Sequence, residues 1–257
     1  MNAEDRALLL RAWKRLIIAW LAAFAASLAV GFCLIYGFRI APEKLLALST
    51  QRLAVAGAVI AKGLQLGIDS GLLLFVWNIS GALATLSFIY TASLINPSNV
   101  DRFPRMLRKA LCGQKPMKAL CYLPGCAKMT DEPLRRLHVW LMVPLLGTLL
   151  LGLECGLIVS AVTRISGSFV VGVVSLLPHG IIEIPAFALA GAIPFSAHLF
   201  VKHTAGNQAA EAVFDQVDAF RRRLPVRRVV WLVIISLLIA GLIEGHITPF
   251  FLDYLKK

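Results

Sequence analysis

The sequence contains uninterrupted apolar segments that are long enough to cross a lipid bilayer. The first, Leu16 to Phe38, carries no charged side chain, and a helix needs about 20 apolar residues to cross the hydrocarbon core. Hydrophobic residues make up 58% of the chain and charged residues 16%, whereas about a quarter of the residues in a soluble domain are charged. The chain is therefore predicted to be an all-α, polytopic transmembrane helical bundle.

Five such segments are predicted to span the membrane, and the fourth is predicted to be broken. They cover about 16–38, 70–95, 139–163, 167–201 and 229–251. The fourth is too long for one straight helix, while its first part, Gly167 to Leu177, is too short to cross. Because proline suits the first turn of a helix, we expect a break near Ser175–Pro178, after a short re-entrant or interfacial helix. Residues 1–257 are thus predicted to form a single membrane domain.

The net charge of +12 is concentrated between the predicted spans. Basic residues outnumber acidic ones nine to three in the loop 96–138, and six to three in the loop 202–228. Such loops stay in the cytoplasm, so the chain is predicted to have its N-terminus inside and its C-terminus outside. No basic stretch lies on a separate folded module, which argues against a nucleic-acid partner. The partner that the composition predicts is the lipid bilayer.

The segment 40–62, between the first two spans, has apolar residues at loosely helical spacing. We expect it to form an amphipathic helix on the outer leaflet, although a helix packed on the bundle is equally compatible with this spacing.

The cysteines predict neither a disulfide nor a metal site. Cys112, Cys121 and Cys126 fall in a predicted cytoplasmic loop, where thiols stay reduced, and their spacing is not that of metal-binding cysteine pairs. Cys33 and Cys155 lie within spans and are interpreted as ordinary small apolar residues.

Polar side chains inside the predicted spans are the candidate functional residues. His179 and Glu183 stand four residues apart and share one helix face, directly after the predicted break. The residues expected to shape that break are Pro178, Gly180 and Pro185.

Other spans supply Asn78, Glu154 and Glu244. With a rise of about 1.5 Å per residue, these side chains and Glu183 lie at similar depth in the outer half of the bilayer core. Because an unpaired carboxylate there costs several kcal/mol, we expect these residues and His179 to face one another as one intramembrane polar site.

Four interpretations of this polar site stay open on the residues alone. Polar groups between membrane helices often serve only to hold helices together, at about 0.6 kcal/mol per bond. The site can also handle protons or ions, recognise a lipid or a partner, or hold a divalent metal ion through His179, Glu183 and Glu244. Zinc enzymes with helical ligands usually supply two histidines and a separate general base, and here only one histidine is well placed.

Three segments of the spans match the pattern of one membrane-protein family. They read PHGIIEIPAFALAGA at Pro178–Ala192, LLLFVWNISGAL at Leu72–Leu83 and LLIAGLIEGHITP at Leu237–Pro249. By these motifs, and most specifically by the HGxxExP element, the chain resembles the stage II sporulation protein M family. Asn78, Glu244 and Pro249 stand where that family has an asparagine, an acid and a proline.

The resemblance implies a five-span inner-membrane protein without a known catalytic activity. In the sporulating case, the family member works with cell-wall hydrolases during engulfment, as the membrane anchor of a complex. The first expectation is therefore a non-enzymatic membrane scaffold or recruiter in an envelope-associated complex, with membrane or envelope proteins or a second copy of the chain as partners. Two alternatives use the polar site: a transporter or lipid flippase, and an intramembrane metal-dependent enzyme.

Overall fold

The computed structural model describes residues 2–51, 54–92, 131–204 and 210–255. All regular secondary structure in these residues is helical. Five helical segments are long and apolar enough to cross a membrane, namely Ala3–Gly37, Ser70–Thr91, Glu132–Ser166, Leu177–Lys202 and Val226–Leu255. This confirms the predicted all-α, five-span fold class. The cysteines predicted in the first cytoplasmic loop, Cys112, Cys121 and Cys126, lie outside the described residues.

The helices of the described residues are numbered here in chain order. They are α1 (Ala3–Phe32), α2 (Pro42–Ser49), α3 (Ala54–Gln65), α4 (Ser70–Thr91), α5 (Glu132–Ser166), α6 (Phe169–Val174), α7 (Leu177–Thr204), α8 (Ala210–Arg223), α9 (Val226–Leu242) and α10 (Thr248–Leu255). Two single π-helical turns interrupt this pattern. One, Cys33–Gly37, continues α1, and the other, Ile243–Ile247, joins α9 to α10.

Most of the spanning helices are longer than the apolar segments predicted for them. The first begins at Ala3 instead of near Leu16, and the third begins at Glu132 instead of near Val139. The hydrocarbon core determines how many apolar residues are needed, but a helix satisfies its own backbone and can continue past the core with charged residues. The segment predicted as one amphipathic helix consists of two helices, α2 and α3.

The fourth predicted span contains two helices, α6 and α7, separated by a turn at Ser175 and Leu176. Pro178 lies in the first turn of α7, where its missing N–H would have no partner within the helix. Gly180 and Pro185 lie farther along α7, which continues past both.

The described residues group into two compact units. One unit comprises those within Met1–Lys14, Ala84–Leu146 and Gly191–Val226, and the other those within Arg15–Leu83, Gly147–Ala190 and Arg227–Lys257. The first unit has an apolar core in which Leu137, Ile193 and Phe220 are fully buried. The ring of Phe220 stacks on that of Phe200 at a centroid distance of 4.9 Å. All the candidate polar residues lie in the second unit.

Glycines bring the backbones of α1 and α5 into direct contact in the second unit. A Cβ atom added to Gly152 would lie 2.6 Å from the carbonyl oxygen of Trp20, and one added to Gly156 would lie 2.5 Å from that of Phe24. The Ser27 hydroxyl donates a hydrogen bond to the Gly152 carbonyl at 3.3 Å. Small residues at such positions are what allows membrane helices to pack closely.

A second glycine contact joins α4 to the end of α9. A Cβ atom on Gly241 would lie 2.7 Å from the Gly71 carbonyl oxygen, and one on Gly245 would lie 2.6 Å from the Gly71 nitrogen. The Ser70 hydroxyl donates to the Gly245 carbonyl at 3.4 Å. The start of α4 therefore packs directly against the π turn that carries Glu244.

Candidate functional site

The second unit brings His179, Glu183 and Glu244 together, and these three residues are called the polar cluster below. One ring nitrogen of His179 and one carboxylate oxygen from each glutamate all lie within 4.8 Å of one another. His179 and Glu183 are one turn apart on α7, and Glu244 comes from the π turn Ile243–Ile247. His179 is buried and both glutamates are half-buried.

The π turn is the local structure that presents Glu244 to α7. A π turn closes its hydrogen bonds over five residues instead of four, and such turns are frequent at functional sites. Here it ends at Thr248, the first residue of α10, whose hydroxyl donates to the Ile243 carbonyl oxygen at 3.3 Å. The turn thus directs the side chains of both Glu244 and Thr248 toward His179.

Thr248 also orients the imidazole of His179. The Nδ1 atom lies 3.4 Å from the Thr248 hydroxyl oxygen. Because the hydroxyl proton is directed to Ile243, the oxygen is left to accept a hydrogen bond from Nδ1. This favours the tautomer with the proton on Nδ1 and a lone pair on Nε2, the form in which an imidazole binds a metal ion or accepts a proton.

The polar cluster contains two carboxylates, those of Glu183 and Glu244. In the part of the chain that the structure describes, no arginine or lysine pairs with Glu183 or Glu244. Two ionised carboxylates this close repel each other, and each is costly inside a membrane. Their charge must therefore be neutralised, either by protons or by a cation that both oxygens contact.

Asn78 and Glu154, also predicted at the polar site, lie outside the polar cluster. Asn78 is half-buried on α4, and its side chain makes no hydrogen bond to another described residue. Glu154 is half-buried on α5. The thiol of Cys155, the next residue of α5, is close enough to Glu183 to interact with it electrostatically, so this part of α5 lies near the polar cluster.

A pair that sequence reasoning missed lies next to the polar cluster. The Nε2 atom of His246 is 3.0 Å from a carboxylate oxygen of Asp69. Asp69 also accepts a hydrogen bond from the Leu72 N–H at 3.1 Å. This bond, together with His246, holds the pKa of Asp69 below its usual value. The sequence signal that could have pointed to Asp69 is its place directly before a predicted span, because aspartate is a preferred residue at the start of a helix.

Two histidines of the first unit were also not predicted as neighbours. The rings of His138 and His198 have a centroid distance of 4.2 Å, and Nδ1 of His198 lies 3.1 Å from the His138 carbonyl oxygen. Both side chains are buried.

Comparison with protein families places these residues in a known context. The family model described as stage II sporulation protein M matches residues 119–249, just over half of the 257 residues. The matched region includes all three members of the polar cluster. No curated protein and no solved structure matched the chain.

Proposed function

The chain belongs to the stage II sporulation protein M family, and on this basis we propose that it is a non-enzymatic membrane scaffold that recruits another protein to an envelope-associated complex. The observation that carries the proposal is the exposed surface of helix α3. The helix packs on the protein through one face and exposes small residues, together with the apolar side chains of Val59 and Leu64, on the rest of its surface.

Helix α3 is a surface element that does not span the membrane. Its 12 residues extend about 18 Å at about 1.5 Å per residue, short of the roughly 30 Å of the hydrocarbon core. One face is packed, since Ala56 is 3% exposed and a Cβ atom on Gly63 would lie 2.5 Å from the side chain of Leu73. The small exposed residues away from this face are Gly57, Ala58 and Ala61.

The exposed surface of α3 fits a protein helix better than it fits lipid. Small residues let another helix approach closely, and a Cβ atom on Gly57 would meet nothing within 4 Å. Helices that lie on lipid instead have a strongly charged face, whereas Lys62 is the only charged residue of α3. The exposed side chains of Val59 and Leu64 add apolar area for contact with a partner helix. The proposed partner is therefore an apolar helix of a second membrane or envelope protein.

The packing of the second unit also supports a static platform. Transporters with alternating access move one structural repeat against another, whereas this sequence shows no internal repeat, and glycine contacts hold α5 against α1 and α4 against α9. Transport or lipid flipping is the second candidate function, and a metal-dependent enzyme is the third. Both are supported by the polar cluster, which offers a site for an ion.

The proposal is tested by photocrosslinking in native membranes. A photoreactive amino acid in place of Ala58 should form an adduct with another polypeptide, because that position lies on the exposed surface of α3. The matched control is Ile235 on α9, which is 52% exposed and lies in a spanning helix. A photoreactive residue there should react with lipid.

Two results would contradict recruitment through α3. Lipid adducts at both positions would show that the small-residue surface lies on the bilayer. An adduct of twice the mass of the chain would show that the surface joins two copies of this protein and does not recruit another.

A further inference from the structure

We propose that the polar cluster is a binding site for a divalent first-row transition-metal ion such as Zn²⁺. The inference rests on His179, Glu183 and Glu244 and is independent of the proposed recruitment through α3. It assigns a ligand to the only group of three or more metal-ligating side chains found in the described part of the chain.

The geometry needs little change to hold an ion. The three ligand atoms lie within 4.8 Å of one another, so a central point exists within about 2.8 Å of each, against about 2.0–2.2 Å for zinc bonds to imidazole and carboxylate. Rotations of the two glutamate side chains, which have three torsions each, can close a gap of less than about 1 Å. The helices therefore do not have to move.

The charges favour a divalent ion. A neutral imidazole and two carboxylates carry a charge of −2, which one divalent cation neutralises. Protons can also neutralise the carboxylates, and a protonated glutamate can donate a hydrogen bond to the lone pair of His179. Protein that holds protons at this site in place of a metal would take up neither Zn²⁺ nor Co²⁺. A metal ion satisfies all three groups at once.

The donor set selects the class of metal. Ca²⁺ and Mg²⁺ prefer oxygen ligands and six or more of them, while an imidazole nitrogen favours zinc and its neighbours in the first transition series. The hydrogen bond from Nδ1 of His179 to Thr248 is the outer contact that metal-ligating histidines usually make. A bound ion would connect α7 to the π turn between α9 and α10.

The first test measures zinc binding to the full chain purified in detergent. The wild-type protein should bind one Zn²⁺ per chain after dialysis against the ion, with an affinity measured by chelator competition. Glu183→Gln and Glu244→Gln keep the size of each side chain and remove its charge, so each should weaken binding by about 10-fold or more. Glu154→Gln is the matched comparison, since it removes a half-buried carboxylate of another span that lies outside the polar cluster.

The second test needs no variant of the glutamates, so it stays informative if one of them fails to fold. Wild-type protein loaded with Co²⁺ should show visible absorption bands typical of nitrogen and oxygen ligation at low coordination number, and Zn²⁺ should displace them. Treatment with EDTA should lower the melting temperature of the wild-type protein, and added Zn²⁺ should restore it.

Three results would overturn the proposal. The first is wild-type protein that takes up neither Zn²⁺ nor Co²⁺. The second is Glu183→Gln or Glu244→Gln protein that folds and binds zinc as tightly as the wild type. The third is zinc binding that Glu154→Gln weakens as much as the cluster variants, because that would place the ion elsewhere.

Discussion

Thr248 is not one of the three proposed metal ligands, but its hydroxyl contacts one of them, His179. Thr248→Val keeps the shape of the side chain but removes the oxygen that accepts from Nδ1 of His179. Loss of such an outer contact typically costs about 10–100-fold in metal affinity, and we expect a loss in that range by chelator competition. Thr248→Ser keeps the hydroxyl and should bind as the wild type does. Equal affinities of the two variants would refute this role.

Asp69 should make the stability of the fold depend on pH. Its pKa is lowered, chiefly by the Leu72 N–H and also by His246. A carboxyl group with a lower pKa in the folded state stabilises the fold fully above its unfolded value of about 3.9, and this contribution is lost as the pH falls through the folded value. Asp69→Asn removes the charge and keeps an acceptor for Leu72. It should lower the melting temperature at neutral pH.

The difference in melting temperature between wild type and Asp69→Asn should then shrink as the pH falls below about 4. Thermal unfolding in detergent at a series of pH values measures it. A difference that is constant over the whole range would mean that the charge of Asp69 does not contribute.

Sequence reasoning reached the members of the polar cluster by two physical arguments. The four-residue spacing placed His179 and Glu183 on one helix face, and the depth of each residue in its span placed Glu244 near them. Thr248 and the pair of Asp69 with His246 were missed. Thr248 reaches His179 only because of a π turn that no sequence pattern marks, and the pair exists only because α4 packs on the end of α9.

At the scale of the helix, the contact between α4 and α9 is sensitive to a single methyl group. A Cβ atom on Gly241 would lie 2.7 Å from the backbone oxygen of Gly71, which cannot rotate away. Gly241→Ala should therefore destabilise the protein by about 1–3 kcal/mol, the usual cost of overpacking. Gly147→Ala is the control, because its Cβ atom would meet nothing within 4 Å and alanine favours a helix by roughly 0.5–1 kcal/mol.

Chemical unfolding of the two glycine variants in the same detergent gives the comparison. If Gly241→Ala were as stable as Gly147→Ala, the close approach of α4 to α9 would not exist in the folded protein.

Apolar length predicts that a helix exists but not where it ends. The segment 40–62 was expected to form one helix, yet α2 ends at Ser49. The reason is local, since the hydroxyls of Ser49 and Thr50 both donate to the Leu46 carbonyl oxygen, at 2.9 and 2.8 Å. Side chains that bond to a nearby backbone group compete with the helix, and a pattern of apolar residues does not report this competition.

For the whole molecule, the distribution of basic residues predicts the orientation in the membrane. Reporter fusions at Gly113 and at Lys257 should give a cytoplasmic and an external signal respectively, because an excess of lysine and arginine keeps the loop 96–138 inside and three spans separate the two positions. Signals on the same side would require an even number of spans between them and would contradict the predicted topology.

The all-α, five-span class was predictable because the bilayer imposes its length on every span. How the helices pack was not, since lipid is as apolar as the side chains and supplies no pattern of buried and exposed residues. The glycines of α5 and α9 carry that information, but their partners, such as Trp20 for Gly152, become visible only in the folded chain.

The π turn at Ile243–Ile247 sets where the chain near the polar cluster tolerates a change in length. A π turn bonds residues five apart where an α-helix bonds residues four apart, so it accommodates one extra residue. Deletion of one residue between Glu244 and Thr248 would therefore restore an ordinary helix and leave α10 in nearly the same orientation, with its threonine still facing His179. Deletion of one residue from the regular helix α9 would instead rotate Glu244 by about 100° around the helix axis relative to the start of α9, and the site would be lost although all three ligands remained in the sequence.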